Sequence, residues 1–177
     1  MMNLLIVVDM QNDFIDGALG TKEAQAIVPR VCAKIKAFDG AVYYTQDTHF
    51  EDYLDTIEGE HLPIMHCLKE SHGWQVNSQI MTELIHKHAQ VIEKYTFGSL
   101  DLLEKLEEIH QREGIERITL VGLCTDICVI SNALLLKAKF LDIPIEVDAT
   151  ACAGVTLESH KNALQAMKMC HIDVMES

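Results

Sequence analysis

Positive charge is in short supply in this chain: Lys and Arg number 14 against 27 Asp and Glu, a formal net charge of -13. Gripping a phosphate backbone or an anionic lipid surface needs a basic face, so nucleic acid and membrane are excluded as partners. Proline is scarce too, at 3 residues, and no Pro/Gly/Ser-rich tract divides the 177-residue sequence, which is long enough for one well-packed core. The expectation is therefore a single domain over residues 1–177. No apolar run approaches membrane-spanning length. The opening Met1-Met-Asn-Leu-Leu-Ile-Val-Val-Asp9 lacks a basic region and a small-residue cleavage pattern, and reads as a buried strand rather than a signal peptide. Paired CxxC spacing is also missing. Cys32, Cys67, Cys124, Cys128, Cys152 and Cys170 are scattered, which excludes a disulfide framework and fits free thiols in a reducing, cytoplasmic location. No GxGxxG follows the first apolar run, so dinucleotide binding is set aside. Internal repeats and low-complexity tracts are absent.

What is present is an alternation of β-branched runs with amphipathic stretches, the pattern of an α/β fold: a doubly wound, mostly parallel sheet of about six strands with helices on both faces. Strands are expected at residues 3–9, 41–46, 90–94, 117–122 and 143–148, with a weaker one at 171–175. Helices are expected at 23–38, 75–87, 100–113, 126–141 and 157–170. Residues 48–74 form a long polar connection holding His49, His61, His66 and His72, and a connection of that length in a compact domain is usually functional.

Ligands of open α/β sheets bind beyond the carboxyl ends of the strands. Strand one ends at Asp9, strand two runs into Asp47-Thr-His49, strand three ends at Lys94, and strand four leads through Val121-Gly-Leu-Cys-Thr-Asp-Ile-Cys-Val129 into an apolar helix. Cys128 thus stands at a helix N-terminus, where unpaired N–H groups and the helix dipole favour thiolate over thiol. A carboxylate, an ammonium and a thiol on one edge make a nucleophile set, with Asp9 taking the thiol proton and Lys94 orienting both. Taken singly, each residue type is more often a cap, a solvated charge or a packing thiol; their joint placement points to chemistry. Asp47 and His49, followed by Glu58, Glu60, His61 and His66, offer the carboxylate and imidazole ligands that suit a divalent ion such as Zn²⁺, Fe²⁺ or Mn²⁺.

Asp9-Met-Gln-Asn-Asp-Phe14, Lys94 followed by Phe97-Gly-Ser99, and Gly122-Leu-Cys-Thr-Asp-Ile-Cys-Val129, in that order, resemble the isochorismatase-like cysteine hydrolases, within them the nicotinamidase/pyrazinamidase branch. The resemblance spans nearly the whole chain. It implies an Asp9, Lys94, Cys128 triad, an oxyanion hole from the backbone N–H groups of Cys124 and Cys128, and a cis peptide bond expected at Cys124–Thr125. It implies an amidohydrolase converting a small carboxamide, nicotinamide first among candidates, to a carboxylate and ammonia through a thioester. Asp47, His49 and His66 match the metal pattern of nicotinamidases, where the ion is thought to bind the pyridine nitrogen. The loop ligand is open between Glu58, Glu60 and His61, with Glu58 favoured. Phe14 matches one aromatic wall. Pro63 stands where the family usually has a second aromatic, and Trp74 could supply that wall or be a half-buried anchor. Substrates other than nicotinamide therefore remain open, including other small amides or a vinyl ether, as does a non-catalytic interaction protein on the same fold. A scaffold, however, has no need of an intact triad. A phosphoacceptor receiver module would want an acidic pair after strand one and an Asp ending strand three, where this chain has Met10-Gln11 and Lys94. Asn12 and Asp13 are expected to be turn-formers, and His86 and His88 to face solvent. The helix after Cys128, with Ile130, Ala133, Leu134, Leu135 and Leu136, is apolar nearly all round, which predicts a homo-oligomer.

Overall fold

A computed structural model describes residues 1–176 of the chain. Six parallel strands, β1 (Met2–Val8), β2 (Ala41–Asp47), β3 (Gln90–Lys94), β4 (Ile115–Leu123), β5 (Ile145–Ala153) and β6 (Asp173–Met175), form one sheet in the order β3-β2-β1-β4-β5-β6. The helices are α1 (Asn12–Ile15), α2 (Lys22–Ala37), α3 (Ile57–His61), α4 (Ser78–His86), α5 (Leu100–Glu113), α6 (Ile130–Lys139) and α7 (Leu157–Met169).

Side chains alternate across a strand, and β1 is buried on both sides. Leu4, Ile6 and Val8 pack with Leu102, Leu106 and Ile109 of α5, Leu136 of α6 and Met167 of α7. Leu5 and Val7 face the other way, onto Ile27, Val31 and Ile35 of α2 and Leu84 of α4. The doubly wound architecture expected from the periodicity is present, with layers on both faces.

The strand order reverses between β1 and β4, and a crevice opens at such a switch point beyond the carboxyl ends. There the two strands come unusually close. Gly122 has φ +116, and a β-carbon on it would overlap the Val8 carbonyl oxygen, so only glycine lets β4 pair in register with Val8 directly before Asp9.

Several boundaries differ from the sequence expectation for identifiable reasons. The helix expected from 126 starts at Ile130, because residues 125–129 make a wider turn in which the Val129 N–H reaches the Cys124 carbonyl at 3.0 Å. The cis peptide bond is Leu123–Cys124, one residue earlier than expected, at the junction where β4 ends and this turn begins. Strand β5 runs on to Ala153, since Cys152 and Ala153 pair with Gly122 and Leu123. Helix α4 begins at Ser78, after the Asn77 side chain caps it by accepting the Gln79 N–H.

Candidate active site

Register alone assembles half of the site. Asp47 and Lys94 are partners at the ends of β2 and β3, and β1 between β2 and β4 carries Asp9 to the same edge. The Lys94 side chain runs inward and is 2 % exposed. Its ammonium donates to Asp47 Oδ1 at 3.0 Å, to the Thr96 carbonyl at 3.0 Å and to Cys128 Sγ at 3.4 Å. Asp9 Oδ2 lies 2.7 Å from the same nitrogen, a buried ion pair. Asp9, Lys94 and Cys128 are thus brought together as one buried cluster.

The electrostatics of the cluster oppose one sequence expectation. Burial, reinforced by the nearby Asp9 carboxylate, pushes the Cys128 thiol well above its ordinary value, more than Lys94 pulls it down. The helix N-terminus was expected to favour thiolate, but the thiol is enclosed, and desolvation of an anion outweighs a dipole worth at most about 2 kcal/mol. Burial likewise raises the Asp9 carboxyl, against the pull of Lys94. Lys94 behaves in the opposite sense: burial would lower it, but Asp9, Cys128 and Asp47 together hold it well above an ordinary lysine. The resting state is therefore a neutral thiol beside a carboxylate that is a stronger base than a solvated aspartate.

Beside this cluster, Asp47, His49, Glu58 and His66 present one ligand atom each, all within 4.8 Å of one another. His49 Nε2 is 3.0 Å from Asp47 Oδ2 and 3.5 Å from Glu58 Oε1, while His66 Nε2 is 3.9 Å from both of those oxygens. A divalent ion fits this donor set. The His66 Nδ1 is 2.7 Å from the Ile64 carbonyl, which fixes that nitrogen as the donor and turns the Nε2 lone pair inward. Asp47 keeps Oδ2 for the cluster because Oδ1 is held by Lys94. Burial pulls the Asp47 carboxyl up, yet the His49 hydrogen bond and Lys94 hold it low; burial raises Glu58. Of the three loop candidates, Glu58 is the one in the cluster, whereas Glu60 and His61 are exposed on the far side of α3.

Cys128, Asp47, Glu58 and His66 share one cavity of about 270 Å³ with Phe14, Leu19, Leu62, Phe97, Ile127 and Val155. Phe14 takes its expected place on the wall. Trp74 does not: its indole N–H donates to Thr48 Oγ1 at 2.9 Å, and the ring lines a separate surface groove with Tyr44 and Gln46. The anchor reading of Trp74 thus fits and the wall reading does not. Cys124 lines the cavity too, but burial holds its thiol up at about 12 and Lys94 makes no contact with it.

Several supporting residues went unassigned in the sequence. Gln11, wholly buried, accepts the Asp47 N–H at 2.7 Å and donates to the Asp47 and Trp74 carbonyls at 2.8 and 2.9 Å, clamping β2 to the turn after β1. Tyr53, 1 % exposed, packs its ring against His49 and His66 with centroids 4.6 and 5.0 Å away. Asn132 ties the cavity wall to the turn that carries Cys128, donating to the Phe97 and Cys128 carbonyls. Thr45 contacts Asp9. The available signal for Thr45 was the period of two that places it on the same strand face as Asp47; Gln11 and Asn132 gave none. Asn12 and Asp13 bind loop backbone, through the His72 carbonyl and the Cys67 N–H, as turn-formers should.

Residues 3–177 match the family model described as Isochorismatase domain. A nicotinamidase from Saccharomyces cerevisiae is 25% identical over 178 residues, covering 75% of this chain and 80% of that protein. Among solved structures, the pyrazinamidase of Pyrococcus horikoshii in complex with zinc superposes with a TM-score of 0.80 at 25% identity, covering 100% of both chains. The pyrazinamidase/nicotinamidase of Streptococcus mutans gives a TM-score of 0.84 at 26% identity, covering 98% of this chain and 99% of that one. With the sheet order, the buried Asp, Lys and Cys cluster and the adjoining carboxylate and imidazole ligands, the family match places the chain in the isochorismatase family.

Proposed function

We propose that this hydrolase of C–N amide bonds cleaves a small uncharged carboxamide, nicotinamide being the first candidate, by a thioester mechanism that uses residues 1–177 as one domain. The observation that carries the reading is the single ammonium of Lys94 reaching Asp9, Asp47 and Cys128 at the floor of a cavity of ligand size. Asp9 takes the proton of the Cys128 thiol as sulfur adds to the amide carbon, and Lys94 holds the charge that passes from carboxylate to sulfur. The backbone N–H groups of Cys124 and Cys128 face the oxyanion. Asp9 returns the proton to the departing nitrogen, ammonia leaves, and a thioester remains. Asp9 then takes a proton from water as the hydroxide adds to the thioester carbon; the C–S bond breaks, Asp9 returns that proton to sulfur, and the product leaves as the acid, which ionises to the carboxylate in solvent.

Asp47, His49, Glu58 and His66 would hold a divalent ion, with zinc the first choice and iron or manganese alternatives. Such an ion, when bound, supplies open coordination positions for a ring nitrogen or a water. The residues lining the cavity include Asp47 and Glu58 but neither Arg nor Lys, so beyond a bound ion and Lys94 behind Cys128 they offer a carboxylate-bearing vinyl ether no counter-charge of their own. Ammonia release from nicotinamide by metal-replete protein tests the substrate; no release would send the search to other small apolar amides. His66→Ala is expected to weaken zinc binding about a hundredfold or more, since structural zinc affinities of about 10–16 kcal/mol are shared over four ligands. Equilibrium dialysis against a zinc buffer reads this, and an unchanged affinity would remove His66 as a ligand.

A homo-oligomer belongs to the same reading, because α6 leaves Leu134 exposed, and Leu100 and Phe97 are exposed as well. Light scattering is expected to give a multiple of 19.9 kDa, and a single-chain mass would end this part of the proposal. Six free cysteines suit a reducing compartment such as the cytoplasm, and no described helix is long and apolar enough to cross a membrane.

A further inference from the structure

Thr45, on β2 and wholly buried, makes two contacts with one residue: its hydroxyl accepts the Asp9 N–H at 3.2 Å and donates to Asp9 Oδ1 at 2.6 Å. A hydroxyl has one proton, and this one is committed to Oδ1. The Lys94 ammonium lies among Asp9 Oδ2, Asp47 Oδ1, the Thr96 carbonyl and Cys128 Sγ. Asp9 Oδ2 is thus left to the Lys94 ammonium at 2.7 Å, the nitrogen that also contacts Cys128 Sγ at 3.4 Å. Asp9 also has φ 47, a left-handed conformation sparsely populated by residues with a β-carbon. The Thr45 hydroxyl, holding the Asp9 N–H and Oδ1 together, pins both the backbone and the carboxylate plane.

We propose that Thr45 is a positioning residue that makes Asp9 a base with one working oxygen: by saturating Oδ1 and fixing the backbone, it leaves Oδ2 to receive the Cys128 proton. The proposal rests on Asp9 being the base in the reading above. In the step, the S–H bond breaks, an O–H bond forms at Oδ2, and the electron pair stays on sulfur beside Lys94. Net charge is unchanged, because carboxylate and thiol become carboxylic acid and thiolate. Without the Thr45 hydroxyl, the carboxylate can rotate, and Oδ2 is no longer held beside Lys94 and the sulfur that Lys94 contacts.

Thr45→Val keeps the shape and removes the hydroxyl, whereas Thr45→Ser keeps the hydroxyl. Two readouts are needed: kcat and KM for amide hydrolysis, and the rate at which iodoacetamide alkylates Cys128, followed on the peptide that carries it. The second needs no substrate. Thr45→Val is expected to lower kcat about 10–100-fold, part of the range that general bases contribute, with KM changed by no more than about twofold. Alkylation of Cys128 slows by a similar factor, and Thr45→Ser restores both to within about threefold. A merely structural role would move zinc content and folding together with kcat, and neither is expected to change. Alkylation of Thr45→Val at the unmutated rate, or Thr45→Ser as slow as Thr45→Val, would overturn the proposal. Should Thr45→Val fail to fold, Thr45→Ala, which adds no bulk, is read in the same way, and fast alkylation there overturns it equally. If the unmutated protein hydrolyses no amide while alkylation follows the Val and Ser pattern, the amidase reading fails and the positioning role stands.

Discussion

Cys128→Ala is expected to abolish amide hydrolysis, with kcat falling about 10⁶-fold, the scale on which removing a covalent nucleophile reduces an enzyme to its remaining binding groups. Asp9 and Lys94 cannot substitute, because one can only move a proton and the other only hold charge. Cys124 is the one competitor within the cavity, and Cys124→Ala is expected to keep kcat within about tenfold, since its thiol lacks the Lys94 contact that Cys128 makes at 3.4 Å. Ammonia release by both variants, side by side, settles which sulfur reacts; loss in Cys124→Ala with retention in Cys128→Ala would reverse the assignment. The same cluster sets the pH dependence. As the base of the proposed mechanism, Asp9 must be deprotonated to accept the thiol proton, and burial raises its carboxyl above 3.8 against the pull of Lys94. Activity is therefore present above that raised value and lost as pH falls through it, with an acid limb in kcat/KM above 3.8.

How much of this could be read from residues alone follows the range of the interactions. Asp9, Lys94 and Cys128 were legible because each ends or follows a strand whose apolar run is local, and parallel topology then delivers them to one edge. Asp47 and His49 were legible for the same reason, and Glu58 separated from Glu60 and His61 only once the short helix α3 fixed which side chain turned inward. Trp74 was not legible. Its indole N–H needs a partner when half-buried, and Thr48, a buried residue that does not line the cavity, provides one, so hydrogen bonding overrides the aromatic character that suggested a wall. The charge state of Cys128 was misjudged because a helix terminus is visible in sequence and desolvation is not. The turn at 125–129 and the place of the cis bond depend on how β4 meets β5, a contact between segments some thirty residues apart that no local pattern encodes.

Lys94→Met tests the cluster as a structural element. Two carboxylates, Asp9 at 0% and Asp47 at 3% exposure, share one ammonium at 2.7 and 3.0 Å. Removing one partner of a buried ion pair leaves uncompensated charge and costs about 3–5 kcal/mol, more than the apolar methionine side chain returns by burial. Urea unfolding at neutral pH is expected to show a loss of that order, together with loss of turnover. The loss should shrink toward acid pH: without Lys94 both carboxyls take up protons at higher pH than before, and once neutral they no longer repel each other. Asp9→Asn in the Lys94→Met background is expected to recover part of the stability, with a coupling of about 1–3 kcal/mol in the double-mutant cycle, because one of the two stranded charges has been removed. Lys94→Arg retains the charge, yet its planar fork cannot place one nitrogen between Asp9, Asp47 and Cys128, so stability should return further than activity. A Lys94→Met protein as stable as the original would mean that the ammonium is dispensable to the fold, and that Asp9 and Asp47 are already protonated without it.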